Sequence, residues 1–574
     1  MRLGQRSKSR TPACVVVACS WVIFAMIAYS MRALAMPGDL DPGFASAGKF
    51  SADIGCTLSA AVLMPVKMVR DAQGSLYLVG FCATGNADSG QGTSEVKVVK
   101  LDANGDRITS FGSGGIATIN TSNYDTANAA AIDSSGDLYI AGNSELFINA
   151  QPTPVFAVWK LDSSSGSLIT SFGSGGVKTI NVTADNYAYA LLLDGSGNIY
   201  VAGESVVLDY TFAVAKLDSN GNLVSSFGNG GSETIAVGSN AFGNVRALAI
   251  DGAGHLYLAG ETRPKDGSGN YDFTLAEIND SNGALVSSFG NAGIKTFDLG
   301  NNNDDLVNAV IFDGGGSLYL AGSTSIAIDA GSSRLIAVVV KVNASSGALV
   351  PSFAGGGIKT LDPNGNGSIA SDLALDSGGH LYVAGGQVDL TTLSSDLQVV
   401  KMDTNGNLAA DFGIGGSKLF SITGYDEADT ILLDNNGHLY VSGVSENYSD
   451  VTPRPERVFI AARLLTANNI TTTTLSSSLN PAKVGVSVML TASITSSAAT
   501  PTGNVTFNDG NTVICASVSV VNSHASCSTS TLAGTIAAHA ISAIYSGDAN
   551  TLGSVSSVLE QRILGDGVFK SGFE

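Results

Sequence analysis

Three short motifs recur seven times at a period near 60 residues, with a fourth beside several of them, and this repetition limits the possible folds more than any other feature of the chain. The first is Leu/Ile-Tyr-x-x-Gly, with tyrosines at Tyr77, Tyr139, Tyr200, Tyr257, Tyr319, Tyr382 and Tyr440. Ahead of each stands Asp-x-x-Gly, opened by Asp71, Asp133, Asp194, Asp251, Asp313, Asp376 and Asp434. The third reads roughly Ser-Phe-Gly-x-x-Gly, around Phe44, Phe111, Phe172, Phe227, Phe289, Phe353 and Phe412. The fourth is an apolar run closing in Lys-Leu-Asp or a relative, as at Lys100-Leu101-Asp102 and Lys216-Leu217-Asp218.

The third repeat shows the local logic. Ala188–Leu193 is a short apolar run that suits a strand buried on both faces. Asp194–Gly197 is a turn in which the aspartate caps its own backbone and glycine takes the positive φ. Asn198–Gly203 and Thr211–Leu217 read as the second and third strands, Asp218–Gly221 as another turn, and Asn222–Phe227 as the fourth strand. No 3.6-residue period appears in the array. Four antiparallel strands per unit, repeated radially, predict an all-β fold, a seven-bladed β-propeller over 36–466. The last repeat lacks its final hairpin, and the missing piece stands at Gly38–Phe44. The mature N-terminus is therefore expected to supply the outer strand of the last blade and close the ring, removing an exposed edge.

Leu40-Asp41-Pro42-Gly43-Phe44, with the later Ser-Phe-Gly-x-Gly-Gly units, resembles the bacterial delta-60 repeat. The unit at 133–142 is similar to the repeats of NHL and SBBP propellers. The resemblance covers about 40–466. It implies an extracytoplasmic propeller, assigns no common activity and carries over no catalytic residue.

Arg2, Arg6, Lys8 and Arg10 precede an apolar run from Ala13 to Tyr29, and Ala33-Leu34-Ala35 follows. This is the pattern of an export signal at 1–35 cleaved after Ala35. An uncleaved anchor is the alternative. No later segment is long and apolar enough to span a membrane. The remaining cysteines are Cys56, Cys82, Cys515 and Cys527. Three pairings are formally possible, and proximity favours Cys56–Cys82 and Cys515–Cys527 in an oxidising compartment. The chain carries a net charge of −20 before the signal, itself basic, is removed. That balance argues against a nucleic-acid partner, which needs a basic face.

Beyond 466 the texture becomes rich in Thr, Ser and Val. About 467–563 reads as a β-sandwich. Pro501-Thr502-Gly503-Asn504-Val505-Thr506-Phe507 and Tyr545-Ser546-Gly547-Asp548 resemble the units of bacterial Ig-like domains of the Big type. The tail 564–574 ends in Asp-Gly-Val-Phe-Lys-Ser-Gly-Phe-Glu, which resembles a C-terminal element of many exported Gram-negative proteins and implies a sorting motif.

Catalytic signals are absent from the sequence pattern. His255, His380 and His438 share a position held elsewhere by Ser75, Asp137, Asn198 and Ser317, so it is expected to be an exposed turn site. His524 and His539 read as surface residues. The seven Asp-x-x-Gly loops are too short for a calcium loop and are read as turn-forming. Asn301-Asn302-Asn303-Asp304-Asp305 offers oxygen ligands for weak surface calcium, and no other cofactor or metal is expected. No nucleophile elbow and no His-Glu-x-x-His occurs. Ligands are expected at the loops between second and third strands: Cys82–Glu95, Asn143–Pro154, Thr262–Tyr271 and Ser323–Ser333. The expected function is an exported, monomeric, non-catalytic binding or adhesion-type protein, with an unidentified protein or glycan as ligand. A polymer-degrading extracellular enzyme and a purely structural surface protein are the alternatives.

Overall fold

The computed structural model describes residues 37–565, apart from 57–61, 84–92, 207–209, 390–393, 435–437, 448–455, 466–470, 497–499, 535–537 and shorter stretches of one or two residues. The expected export signal and the last nine residues of the tail lie outside the described residues. The described chain is all β, with no helix.

Residues 62–464, with Lys49–Ala52, form seven four-stranded antiparallel sheets. Six are simple meanders, running 62–119, 126–180, 185–235, 241–297, 305–361 and 368–420. The seventh combines Tyr425–Leu433, Leu439–Asn447 and Glu456–Leu464 with the N-terminal strand, Lys49 pairing with Ala462 and Ala52 with Phe459. Consecutive sheets stack face to face, and a separate apolar cluster fills each gap. A further cluster joins the seventh sheet to the first through Phe44, Leu78, Cys82, Tyr440 and Phe459.

The motifs explain the stacking. In every sheet the motif tyrosine meets the motif phenylalanine edge to face at 5.7 to 6.2 Å, and the seventh tyrosine, Tyr440, takes Phe44 from the N-terminus. The lysine of Lys-Leu-Asp lies over the same tyrosine ring, as Lys100 does on Tyr77 and Lys216 on Tyr200, each at 4.9 Å. Both polar ends then reach one carbonyl in the following repeat. The Tyr77 hydroxyl and the Lys100 ammonium donate to Ser163 O, and Tyr200 and Lys216 donate to Asp280 O. Each motif aspartate accepts the backbone N–H four residues on, from Ser75, Asp137, Asn198, His255, Ser317, His380 and His438.

Two sequence readings change. Asn222–Phe227 is a turn: Phe227 N donates to Val224 O, and the fourth strand is Ser232–Ile235. The phenylalanine acts as a buried plug, and the glycines after it reverse the chain into the outer strand. In the second-to-third connections at 143–154 and 323–333 the strand pairing runs on as far as Ile148 with Gln151 and Asp329 with Ser332.

Residues 471–564 make a separate sandwich. One sheet orders Thr471–Ser477, Val488–Ser496 and His524–Thr529; the other centres on Asn504–Asp509 between Thr512–Ser519 and His539–Tyr545. Strict alternation in Val488–Ile494 buries Val488, Leu490, Ala492 and Ile494 against Val505, Phe507, Ile541 and Ala543. The two quoted motifs meet: Asp548 accepts from Thr502 N and Thr502 Oγ1, and from the Tyr545 hydroxyl at 3.1 Å. The chain contains the disulfides Cys56–Cys82 and Cys515–Cys527. Cys515–Cys527 joins the two sheets of the sandwich. Cys56–Cys82 ties the segment after the N-terminal strand to the first sheet.

Candidate functional site

The first strand of every sheet carries a β-bulge, opposite the glycine of Leu/Ile-Tyr-x-x-Gly. Pro65, Ala127, Ala188, Val245, Val307, Ala370 and Ala428 pair with Gly80, Gly142, Gly203, Gly260, Gly322, Gly385 and Gly443. From the second sheet on, a Cβ on that glycine would overlap a backbone carbonyl of the bulged strand. The bulge re-aims one extra side chain per sheet. Those residues are Val66, Asn128, Tyr189, Arg246, Asn308, Ser371 and Asp429, a chemically varied position of the repeat.

Between the third and fourth sheets these residues underlie a pocket of about 230 Å³. Its walls are aromatic. Tyr210 and Phe242 meet edge to face at 5.3 Å, and the Arg263 guanidinium lies 5.6 Å from the Phe242 ring and 4.7 Å from the Tyr271 ring. Glu204 and Asn244 supply further polar lining. Behind them Tyr189 donates to Glu204 Oε1 at 3.1 Å, Arg246 stacks 4.7 Å over the Tyr189 ring, and Arg246 Nε donates to Glu261 Oε1 at 3.0 Å. Burial pushes the Glu204 carboxyl above the usual carboxylate range, against the pull of Tyr189 and Arg246. Burial likewise raises Glu261. Arg263 Nε and Asn244 Oδ1 are shielded from solvent and have no hydrogen-bond partner among the described residues. Shielded polar atoms with unused bonding capacity mark a place where a ligand can supply what the fold does not.

The expected loop Thr262–Tyr271 contributes Arg263 and Tyr271 to this pocket. Of the loop Cys82–Glu95, residues 84–92 lie outside the described residues. Sequence reading missed Glu204, Tyr210, Phe242 and Asn244. Tyr210, Phe242 and Asn244 differ from the residues at matched positions of neighbouring repeats, whereas Glu204 is matched by Glu261 in the next repeat.

The histidines are bound to their turn aspartates, His255 to Asp251 at 2.6 Å, His380 to Asp376 at 3.0 Å and His438 to Asp434 at 2.9 Å. The expectation of an exposed site fails for His438, whose side chain is 6 % exposed, because Arg70 and Tyr440 pack around that turn. His539 is not a free surface residue either: it bridges Asp509 and the Ala533 carbonyl. In the expected calcium stretch, Asn301 and Asn302 lie outside the described residues, Asp304 accepts from Tyr271 N, and Asp305 is buried.

Residues 475–563 match the model of the bacterial Ig-like domain (group 3). This Ig-like domain and the two disulfides are compatible with an extracytoplasmic location. No curated protein matches the chain. Among solved structures the chain is similar to Drosophila Semaphorin 2a at 8 % identity and a TM-score of 0.40, covering 93 % of this chain and 99 % of that one. It is similar to the Pyrococcus horikoshii acylaminoacyl peptidase at 11 % identity and a TM-score of 0.34, covering 75 % of this chain and 58 % of that one. The β-propeller domain of the Trilobed protease from Pyrococcus furiosus matches at 10 % identity and a TM-score of 0.25, covering 62 % and 99 %.

Proposed function

We propose that the chain is an exported, non-catalytic binding protein, a seven-bladed propeller closed by its own N-terminal strand and followed by the Ig-like domain. Its pocket between the third and fourth blades takes a small hydroxyl-rich ligand such as one sugar unit. The closed ring is supported by contacts among the first strands, which touch in cyclic order and return from Tyr425–Leu433 to Val62–Arg70. Phe44 completes the seventh Tyr–Phe pair, and the Lys49–Ala52 strand covers the last edge.

The pocket carries the functional reading. At about 230 Å³ it is smaller than a drug-sized site, so it suits a single ring. Aromatic rings offer flat apolar contact, while Arg263 donates and Asn244 accepts. The Glu204 carboxyl adds oxygen acceptors to the lining, which suit the hydroxyl donors of a sugar. The binding test is a glycan array probed with the mature chain (36–574) and its Arg263→Ala and Phe242→Ala variants. Wild type is expected to select a small set of glycans, and each variant to lose the signal. No bound glycan, or equal binding by both variants, contradicts the reading.

One observation favours a hydrolase instead: a carboxyl, Glu204, lines the pocket, and burial shifts it in the direction that a general acid needs. Glycoside hydrolysis uses two carboxyl groups flanking the scissile bond. The neighbouring Glu261 is 2 % exposed and paired with Arg246, behind the pocket. Release of reducing sugar by wild type, lost in Glu204→Gln, would establish the hydrolase and remove the non-catalytic reading.

A further inference from the structure

Beside the pocket wall, where the fourth sheet meets the fifth, three carboxylates converge. Asp272 opens the strand that follows Tyr271, Asp298 follows the strand Ile294–Phe297, and Asp305 opens the next sheet. One oxygen from each lies within 4.8 Å of the other two. Among the described residues no lysine, arginine or histidine forms an ion pair with any of them.

The repeat supplies an internal comparison. Asp125 occupies the same place at the junction of the first and second sheets, since Asp125 N donates to Ser94 O as Asp305 N donates to Tyr271 O. The Asp125 carboxylate is saturated with donors: Thr121 Oγ1 at 3.0 Å, Ser122 N at 2.9 Å, Ser122 Oγ at 2.7 Å, Ser144 Oγ at 2.8 Å, and Thr121 N. Its neighbour Glu95 is paired with Lys97 at 3.0 Å. Among the described residues, Asp305 accepts one hydrogen bond, from Leu299 N at 2.8 Å. It is fully buried, and its Oδ1 has no hydrogen-bond partner among the described residues. Thr324 stands opposite it in the ladder, as Ser144 stands beside Asp125, and is 5 % exposed. The Thr324 hydroxyl lies next to the Asp305 carboxylate without closing a hydrogen bond of normal geometry, so Thr324 Oγ1 is a second buried oxygen without a hydrogen-bond partner among the described residues. Two more carboxylates stand at a junction where the equivalent site gathers donors.

We propose that Asp272, Asp298 and Asp305 bind one calcium ion, with the Thr324 hydroxyl beside it. The donor set is all oxygen, with three carboxylates, which selects a hard divalent cation. The loose spacing favours calcium over magnesium, which demands near-ideal octahedral geometry. The site is independent of the ligand read for the pocket, and touches it through Tyr271, whose carbonyl accepts Asp305 N and whose N–H donates to Asp304.

Chelator-treated mature chain is titrated with calcium chloride by calorimetry, and thermal unfolding is followed with and without calcium. Wild type is expected to bind one calcium per chain with a Kd of about 0.1–1 mM, the range of extracellular modules, and to melt higher with calcium. Asp298→Asn has an exposed side chain whose oxygen can still accept Gly300 N, so it should fold, bind at least about tenfold more weakly and lose the thermal response. Asp106→Asn, on a distant exposed turn, should bind as wild type does. Absence of calcium binding in wild type, an unchanged affinity in Asp298→Asn, or an equal response to magnesium overturns the site.

Discussion

Gly203→Val yields no folded third sheet, whereas Gly175→Ala folds with a modest loss. Gly203 pairs with Ala188 at the bulge, and a Cβ there would overlap the Tyr187 carbonyl oxygen. That oxygen belongs to the first strand, which is paired along Asp185–Leu193 with the strand that carries Gly203, so relief requires moving the strand, and with it Tyr189 and the pocket floor. The cost is expected to exceed about 4 kcal/mol, the level at which single substitutions become exceptional. Gly175 has a φ of +66° and open space within 4 Å of where a Cβ would stand, so alanine there meets only backbone strain of about 1–2 kcal/mol. Urea unfolding of the two variants checks the contrast. Equal losses would show that the glycine of the Leu/Ile-Tyr-x-x-Gly motif is not placed by the bulge.

Phe44→Ala is expected to lose about 3–5 kcal/mol, as for a large side chain removed from a core. Phe44 is fully buried, packs on Tyr440 at 6.0 Å and sits under the Arg463 guanidinium at 5.3 Å. It also anchors a segment that Arg463 Nε holds through Asp41 Oδ2 at 2.7 Å. Removing the plug therefore loosens the Lys49–Ala52 strand and exposes the edge of Glu456–Leu464, an invitation to association. The variant should melt lower and form oligomers on light scattering. Unchanged melting and a monodisperse chain would mean that the N-terminal strand does not secure the seventh sheet.

The repeat was legible because its cause is local and recurrent. Asp turns, glycine reversals and the Tyr–Phe pair leave residues at fixed offsets in every copy, and the lysine over the pair does so in five of the seven. The pairing of the N-terminal segment with 456–464 was also readable, since the seventh copy lacks what Gly38–Phe44 supplies. The fourth strand was misplaced because Ser-Phe-Gly looks like a strand end, while its phenylalanine plugs the core from a turn. Bulges were invisible because one extra residue inside an apolar run leaves no turn signature. The pocket was half legible. Arg263 and Tyr271 fall in a connection that varies between copies, but Glu204, Tyr210, Phe242 and Asn244 come from two different repeats. Only stacking of the third and fourth sheets brings them together. The same holds for Asp272, Asp298 and Asp305, of which only Asp305 lay in the acidic stretch.

Calorimetric titration of the sugar selected on the array into wild type, Arg263→Ala and Arg334→Ala tests the central claim most directly. Arg334 is held by Asp362 and the Gly365 carbonyl in another sheet and serves as the control. One binding event per chain is predicted, weakened at least about tenfold by Arg263→Ala, the equivalent of about 1.4 kcal/mol, and unchanged in Arg334→Ala. Equal affinity in wild type and Arg263→Ala would contradict the assignment of the pocket between the third and fourth sheets.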